Sequence, residues 1–343
     1  MRYINTGKPG PTRLARVHLA EDVRAFARAF SRRQILLPAY ITHADCARHE
    51  MGAHHPECPE RLSAINDMLL TKGLLDYMEP YDAPLATLGQ LAHAHSSLYV
   101  AELMAASPAE GYHKVDPDTD MNPFTVTAAL RAAGAAVLAT DLVMTGAAPS
   151  AFCCVRPPGH HAQRDATMGF CFFNNVAVGI RHALTEYGLQ RVALIDFDVH
   201  HGNGSEDIFR GDDRVLMCSI FEQGIYPFTG DEAKGDNMVN VGLPSRSGSD
   251  TFREAVTAHW LPALHAFQPE LIYISAGFDA HREDDMGNLG LVEADYEWVT
   301  QQIMAVARQH CKSRVISCLE GGYVLSPLAR SVAAHVRVLI GAD

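Results

Sequence analysis

Five short runs of apolar residues punctuate the chain, at 151–155, 192–196, 215–220, 271–276 and 315–319. They lack the in-out alternation of a half-buried strand and contain several β-branched residues, which predicts strands covered on both faces. Longer stretches with helical character lie between several of them: 125–144, rich in Ala and Leu around Gly134, then 175–187, 250–267 and 295–310. Strands alternating with helices imply an α/β fold of three layers, a mainly parallel sheet with helices on both faces. No repeat, low-complexity tract or Ser/Gly linker interrupts residues 38–343, which therefore read as one domain.

Polar and glycine-rich residues follow the predicted strands. The run 151–155 leads into Arg156-Pro157-Pro158-Gly159-His160-His161, and 192–196 into Asp198-Val199-His200-His201-Gly202-Asn203-Gly204. The run 271–276 leads into Gly277-Phe278-Asp279-Ala280-His281, and 315–319 into Glu320-Gly321-Gly322-Tyr323. Ligands of open parallel sheets bind beyond the carboxyl ends of strands. Four strands thus deliver His, Asp and Tyr side chains to one edge.

Charge narrows the partners. Lys+Arg total 28 against 40 Asp+Glu, a formal charge of −12. Such a chain is ill suited to gripping a nucleic-acid backbone and better suited to a cationic substrate. The acidic groups Asp116/Asp118/Asp120 and Glu283/Asp284/Asp285 could attract one, although solvated loops are the commoner meaning of such clusters. No uninterrupted apolar run approaches the roughly 18 residues that cross a bilayer, so no membrane partner is expected. The eight cysteines form no C-x-x-C pair and mostly sit in apolar runs, which fits reduced thiols in a cytoplasmic setting. Residues 1–37 differ from the rest: eight Lys and Arg face only Glu21 and Asp22, and 19–33 could form one amphipathic helix. This segment reads as a basic extension, with an Arg-rich presequence as the alternative.

The strand-end residues suggest a catalytic metal site. Asp198 and His200, two apart in extended chain, can face the same way, and Asp279 could complete a three-ligand set that leaves a position open. An O,N,O donor set suits Zn²⁺ and also admits Fe²⁺ or Co²⁺. Asp196 could orient a histidine or join a monovalent-cation site. His160 and His161, on a Pro-Pro-Gly turn, could face a shared water, one accepting its proton. Tyr323, after two glycines, could donate to a polarised carbonyl oxygen.

Taken together, Arg156-Pro-Pro-Gly-His-His-Ala162, Gly169-Phe-Cys-Phe-Phe-Asn-Asn175, Asp196-Phe-Asp-Val-His-His-Gly-Asn-Gly204, Gly277-Phe-Asp-Ala-His281 and Glu320-Gly-Gly-Tyr323 resemble the zinc-dependent histone deacetylase and acetylpolyamine amidohydrolase family. His55-Pro-Glu-Cys-Pro-Glu-Arg-Leu62 is similar to its opening motif. The resemblance implies an arginase/deacetylase-like fold that hydrolyses N-acyl amides, with acyl-lysine side chains the favoured substrate and acetylated polyamines the alternative, and it leaves a homo-oligomer open. It implies Asp198, His200 and Asp279 as zinc ligands, His160, His161 and Tyr323 as catalytic residues, and His161 as the favoured proton shuttle. It further implies Asp196 and Ser219 at a structural K⁺, Gly169, Phe170 and Tyr226 as channel walls, and Arg61 on an acetate exit. Two positions depart from many relatives. Asn203 replaces a histidine-orienting aspartate, as in the class II branch, and Phe221 replaces a histidine, which makes the rim an open question.

Two rival readings remain at this point. An arginase-like ureohydrolase would need further aspartates for a second metal, and that set is incomplete here. A non-catalytic acyl-amide binding protein or corepressor scaffold is opposed by the intact His160, His161 and Tyr323.

Overall fold

The computed structural model describes residues 36–342; all but the last two residues of the basic segment 1–37, with the helix expected at 19–33, lie outside them. The described chain forms ten strands. They are β1 (Ala39–Thr42), β2 (Glu79–Asp82), β3 (His113–Asp116), β4 (Thr119–Met121), β5 (Ser150–Cys153), β6 (Val192–Asp196), β7 (Val215–Glu222), β8 (Met238–Leu243), β9 (Leu271–Ala276) and β10 (Val315–Leu319). Eight of them build one sheet in the order β2-β1-β5-β10-β9-β6-β7-β8, every neighbouring pair parallel. β3 and β4 form a separate antiparallel hairpin.

The predicted three-layer α/β arrangement follows from the side chains of the central strands. Ile274 and Ser317 are register partners and share a face, whereas Tyr273 points to the other. Tyr273 packs on the Ala-rich helix Thr125–Thr145 and its neighbour Asn175–Glu186, where its hydroxyl donates to Ala136 O at 3.2 Å. On the opposite face Ser317 Oγ lies 2.8 Å from His335 Nε2, on the helix Leu325–Leu339, which packs with Glu60–Thr71 and Glu293–His310. His335 uses its other ring nitrogen on Thr300 at 2.7 Å, so a fully buried imidazole is satisfied as a neutral group.

Two expectations change in detail. The first of the five predicted strands, β5, is Ser150–Cys153 and not 151–155, because the chain leaves the sheet before the Arg156 turn, while β7 runs on to Glu222. The helix expected at 250–267 is continuous but contains a π-helical turn, Val256–Trp260, between Ser249–Ala255 and Leu261–Phe267. Pro262 follows that turn and has no N–H to give to the preceding turn, so the ladder widens there. Thr125–Thr145 is, by length and mean hydropathy alone, apolar enough to cross a bilayer, although Arg131 and Asp141 interrupt it, as expected of a chain with no long uninterrupted apolar run. Most of that stretch is buried against the sheet and the helix Asn175–Glu186, which accounts for its apolar character within the core.

Candidate active site

The sheet order places β5, β10, β9 and β6 side by side, so the four polar strand ends are contiguous. Asp198, His200 and Asp279 meet there, all buried, each offering one ligand atom within 4.8 Å of the others. His200 Nδ1 lies 2.9 Å from Asp198 Oδ1 and 3.2 Å from Asp279 Oδ2. Backbone donors set the carboxylates: Val199 N–H on Asp279 Oδ1 at 2.9 Å and Gly321 N–H on Asp198 Oδ2 at 2.9 Å. Gly321 has to be glycine, since a Cβ there would sit 2.5 Å from Asp198 Oδ2 and closer still to Asp279 Oδ2.

These residues fit a divalent cation. Asp279 Oδ2 is buried and, although His200 Nδ1 lies 3.2 Å away, has no hydrogen-bond partner of good geometry among the described residues. Burial works against a proton on His200, yet the adjoining carboxylates of Asp198 and Asp279 outweigh that and push its pKa up to about 10. Two buried carboxylates and one imidazole, each offering one ligand atom within 4.8 Å of the others, form a donor set that suits Zn²⁺, Fe²⁺ or Co²⁺.

The two histidines of the Pro157-Pro158-Gly159 turn lie next to the cluster, their ring centroids 4.0 Å apart. His160 Nδ1 is 3.0 Å from Asp196 Oδ2. Burial opposes its charge, but Asp198 and Asp196 prevail and raise its pKa well above the ordinary value. His161 Nδ1 is 2.7 Å from Asn203 Oδ1, and no carboxylate touches it. Burial, reinforced by His160 and His200, lowers its pKa well below the ordinary value. The adjacent rings are thus driven apart, one towards imidazolium and one towards a neutral base.

Glu320 holds this turn and was not singled out in the sequence. Its Oε2 accepts the backbone N–H groups of Gly159 at 2.6 Å and His160 at 3.1 Å, and its Oε1 accepts from Ser275 Oγ at 3.1 Å. Its place at the end of β10, before the paired glycines, was the available signal. Burial pushes its carboxyl up to about 7, against the pull of His160. Ser219 Oγ, on the strand beside Asp196, is buried and has no partner among the described residues.

A cavity of about 240 Å³ opens onto His161, His200 and Tyr323. Gly169, Phe170, Tyr226 and Met286 give it apolar and aromatic walls, and Asp118 lines it too. Gly169 and Phe170 both have left-handed backbone, φ +56° and +67°. That conformation is strained for phenylalanine. It is held by the Phe170 N–H bond to Thr119 Oγ1 at 3.0 Å, which ties the wall to the β3–β4 hairpin. Phe170 meets the Tyr323 ring edge-on at 5.8 Å. Burial and then Asp279 raise the Tyr323 pKa well above the ordinary value, so the phenol keeps its proton and remains a donor. A larger surface depression of about 470 Å³, lined by Met68, Leu74, Arg330 and Arg337 among others, contains no His or Cys.

Arg61 is fully buried behind the tyrosine. Its Nε donates to Gly322 O at 2.6 Å, another nitrogen donates to Glu320 O, and its guanidinium carbon lies 5.0 Å from the Tyr323 ring centroid. Two expectations need correction. Phe221 is not at the rim: it is 1% exposed and packs on His201 with ring centroids 4.9 Å apart, because its strand is covered at that point. Asp284 is not part of a solvated acidic loop, since it is 5% exposed and hydrogen-bonded to backbone. Met286 gave no signal in the sequence, having neither charge nor motif chemistry of its own.

Comparison with known proteins decides the family, because the histone deacetylase domain matches residues 55–339. The chain belongs to the histone deacetylase family. It is 35% identical to the histone deacetylase-like amidohydrolase of Pseudomonas aeruginosa, over 79% of this chain and 73% of that protein. It is 37% identical to the mouse polyamine deacetylase HDAC10 over 83% of its length, but spans only 45% of that relative. The crystal structure of the HDA15 HD domain superimposes with a TM-score of 0.83 at 33% identity, covering 89% of this chain and 88% of that one. The fold is therefore the deacetylase-type α/β fold, and the protein is a hydrolytic deacetylase. The strand-end cluster is the candidate centre of this deacetylase.

Proposed function

We propose that residues 38–343 form the catalytic domain of a zinc-dependent amidohydrolase that removes acetyl or other acyl groups from the side-chain amines of acyl-lysine in peptides and proteins. The observation that carries this is the shared cavity: His200 of the Asp198/His200/Asp279 cluster, His161 and Tyr323 meet where apolar walls would accept a slender aliphatic chain. A Zn²⁺ held by the cluster would supply Lewis-acid polarisation of the amide carbonyl and of water. Fe²⁺ or Co²⁺ would serve the same donors.

The chain's own residues account for the remaining chemistry. His161 is fixed with its proton on Nδ1 by Asn203, which leaves Nε2 bare to accept the proton of the attacking water. Tyr323 donates its phenol to the oxygen that gains negative charge as the tetrahedral intermediate forms. His161 then returns the proton to the amine nitrogen as the C–N bond breaks, giving the carboxylic acid and the amine, which leave as carboxylate and ammonium. His160, paired with Asp196, adds positive charge beside the developing anion. Asp196 and the partnerless Ser219 hydroxyl suit a structural K⁺ beneath this pair. Arg61 would lie along the path by which the released acetate leaves.

An acetylated polyamine is the second reading, supported by Asp118 in the wall of the cavity and by the polyamine deacetylase among the relatives. Apolar Met286 on the same wall supports the acyl-lysine reading. The test is a side-by-side measurement of kcat/KM on acetyllysine peptides, longer acyl-lysine peptides, acetylputrescine and acetylspermidine, with and without chelator. The proposal expects chelator-sensitive hydrolysis with acyl-lysine peptides preferred. Preference for the acetylpolyamines would reverse the substrate assignment, and chelator-resistant or absent hydrolysis would reject the reaction.

A further inference from the structure

Tyr323 follows Gly321-Gly322, and Gly322 has a φ of +113°, so the backbone before the phenol has little stiffness of its own. The helix Leu325–Leu339 begins just after it, and Val324 at its N-cap provides no capping side chain. The missing acceptor comes from another loop. Asp284 Oδ2 accepts the backbone N–H of Tyr323 at 2.7 Å and that of Val324 at 3.0 Å. Its Oδ1 accepts the N–H of Met286 at 3.1 Å. One buried carboxylate therefore ties the backbone of the phenol to the backbone of Met286, another residue of the cavity wall.

The loop that carries Asp284 is itself well anchored. Asn288 donates its backbone N–H to Glu222 Oε2 at 2.5 Å, and its side-chain amide to Glu222 Oε1 at 3.2 Å. A Cβ on Gly287 would lie 2.5 Å from Val199, the residue between Asp198 and His200, so this loop rests directly on the metal-site segment. Charge-assisted bonds from a fixed carboxylate to a helix N-terminus are among the stronger backbone restraints. We propose that Asp284 is a positioning residue for the deacetylation step: it sets the Tyr323 phenol relative to the metal-site segment and to the Met286 wall. This rests on the amidohydrolase reading above. Asp284 touches neither substrate nor reacting atoms in this role, and acts through Tyr323.

Its consequence is a dependence between two residues. A misplacement of about 1 Å at a reacting group can cost on the order of 100-fold in rate. The test is a double-mutant cycle of Asp284→Asn and Tyr323→Phe on an N-acetyllysine fluorogenic peptide, with melting temperature and metal content measured for every variant. Calorimetric affinity for a trifluoromethyl ketone analogue, whose hydrate mimics the tetrahedral intermediate, gives a readout independent of turnover. Asp284→Asn is expected to lower kcat by about 10- to 100-fold with KM changed less than about threefold, and to weaken the ketone in proportion. In the Tyr323→Phe background the same substitution is expected to change kcat and ketone affinity by less than about threefold. Equal losses in both backgrounds would mean that Asp284 only caps the helix, and an unchanged kcat would also overturn the proposal. Asp284→Ser, which keeps one hydroxyl acceptor, carries the same cycle if Asp284→Asn does not fold. An unmodified enzyme without chelator-sensitive hydrolysis would instead reject the underlying reading, and this proposal with it.

Discussion

His161 Nδ1 sits 2.7 Å from Asn203 Oδ1, and Asn203 Nδ2 in turn donates to Met168 Sδ at 3.1 Å. The amide is therefore oriented with its oxygen on the imidazole, which fixes the tautomer without supplying a charge. Its neighbour His160 has the carboxylate of Asp196 instead.

Asn203→Asp would place an anion against His161 and favour the imidazolium, raising its pKa. The base would then be protonated at higher pH, so the acid limb of the kcat/KM profile should move upward by roughly one unit, the size of an ordinary charge-neighbour shift. A pH–rate profile from pH 5 to 9 checks this. An unmoved or lowered limb would separate His161 from the proton transfer.

Glu57 is enclosed by Arg156, Arg61 and His49 with no exposure. Burial alone would raise its pKa, but the two guanidiniums outweigh it and hold it down to about 2 against a reference of 4.5. The stability this contributes is present above about pH 4.5 and is lost as the pH falls through 4.5 towards 2, a total of about 3 kcal/mol. Glu57→Gln should lower the melting temperature at pH 7 and flatten its fall between pH 5 and 3. Parallel acid-melting curves for the two proteins would show no such carboxylate if the idea fails.

Asp118 is the carboxylate in the cavity wall. Asp118→Asn should raise KM for cationic substrates by about 3- to 30-fold while leaving kcat nearly unchanged, and should reduce the salt dependence of kcat/KM. Steady-state kinetics at two ionic strengths on an acetyllysine peptide with and without flanking lysines measure this. Equal KM values for both peptides in both proteins would remove Asp118 from substrate capture.

Gly321→Ala should destroy the candidate metal site without replacing a donor residue, because the added methyl enters the space of the Asp198 and Asp279 carboxylates. Metal content should fall together with activity while the far-ultraviolet circular dichroism is kept. Full metal occupancy in the alanine variant would show that the carboxylates can retreat and still bind.

The central fold was legible because both faces of its middle strands are covered. Val192–Asp196, Leu271–Ala276 and Val315–Leu319 are fully buried runs, and their bounds in the structure match the apolar pattern. The edges were not legible for the opposite reason. β2 is Glu-Pro-Tyr-Asp, an outer strand with polar side chains, and β8 has partly exposed residues and a glycine, so neither presents an apolar run. The candidate site was legible where chemistry and motif coincide, as at Asp198, His200, Asp279 and Tyr323. Glu320, Asp284 and Met286 act through backbone hydrogen bonds or shape, and only the tertiary arrangement of loops reveals such contacts.

Metal stoichiometry by mass spectrometry, paired with deacetylation of an acetyllysine peptide, tests the core of the account most directly. The account predicts one divalent ion per chain, lost together with activity in Asp198→Ala, and retained with turnover cut by about 100- to 1,000-fold in Tyr323→Phe. Two ions per chain would support the ureohydrolase chemistry instead, and an active Asp198→Ala variant with its metal intact would contradict the site outright.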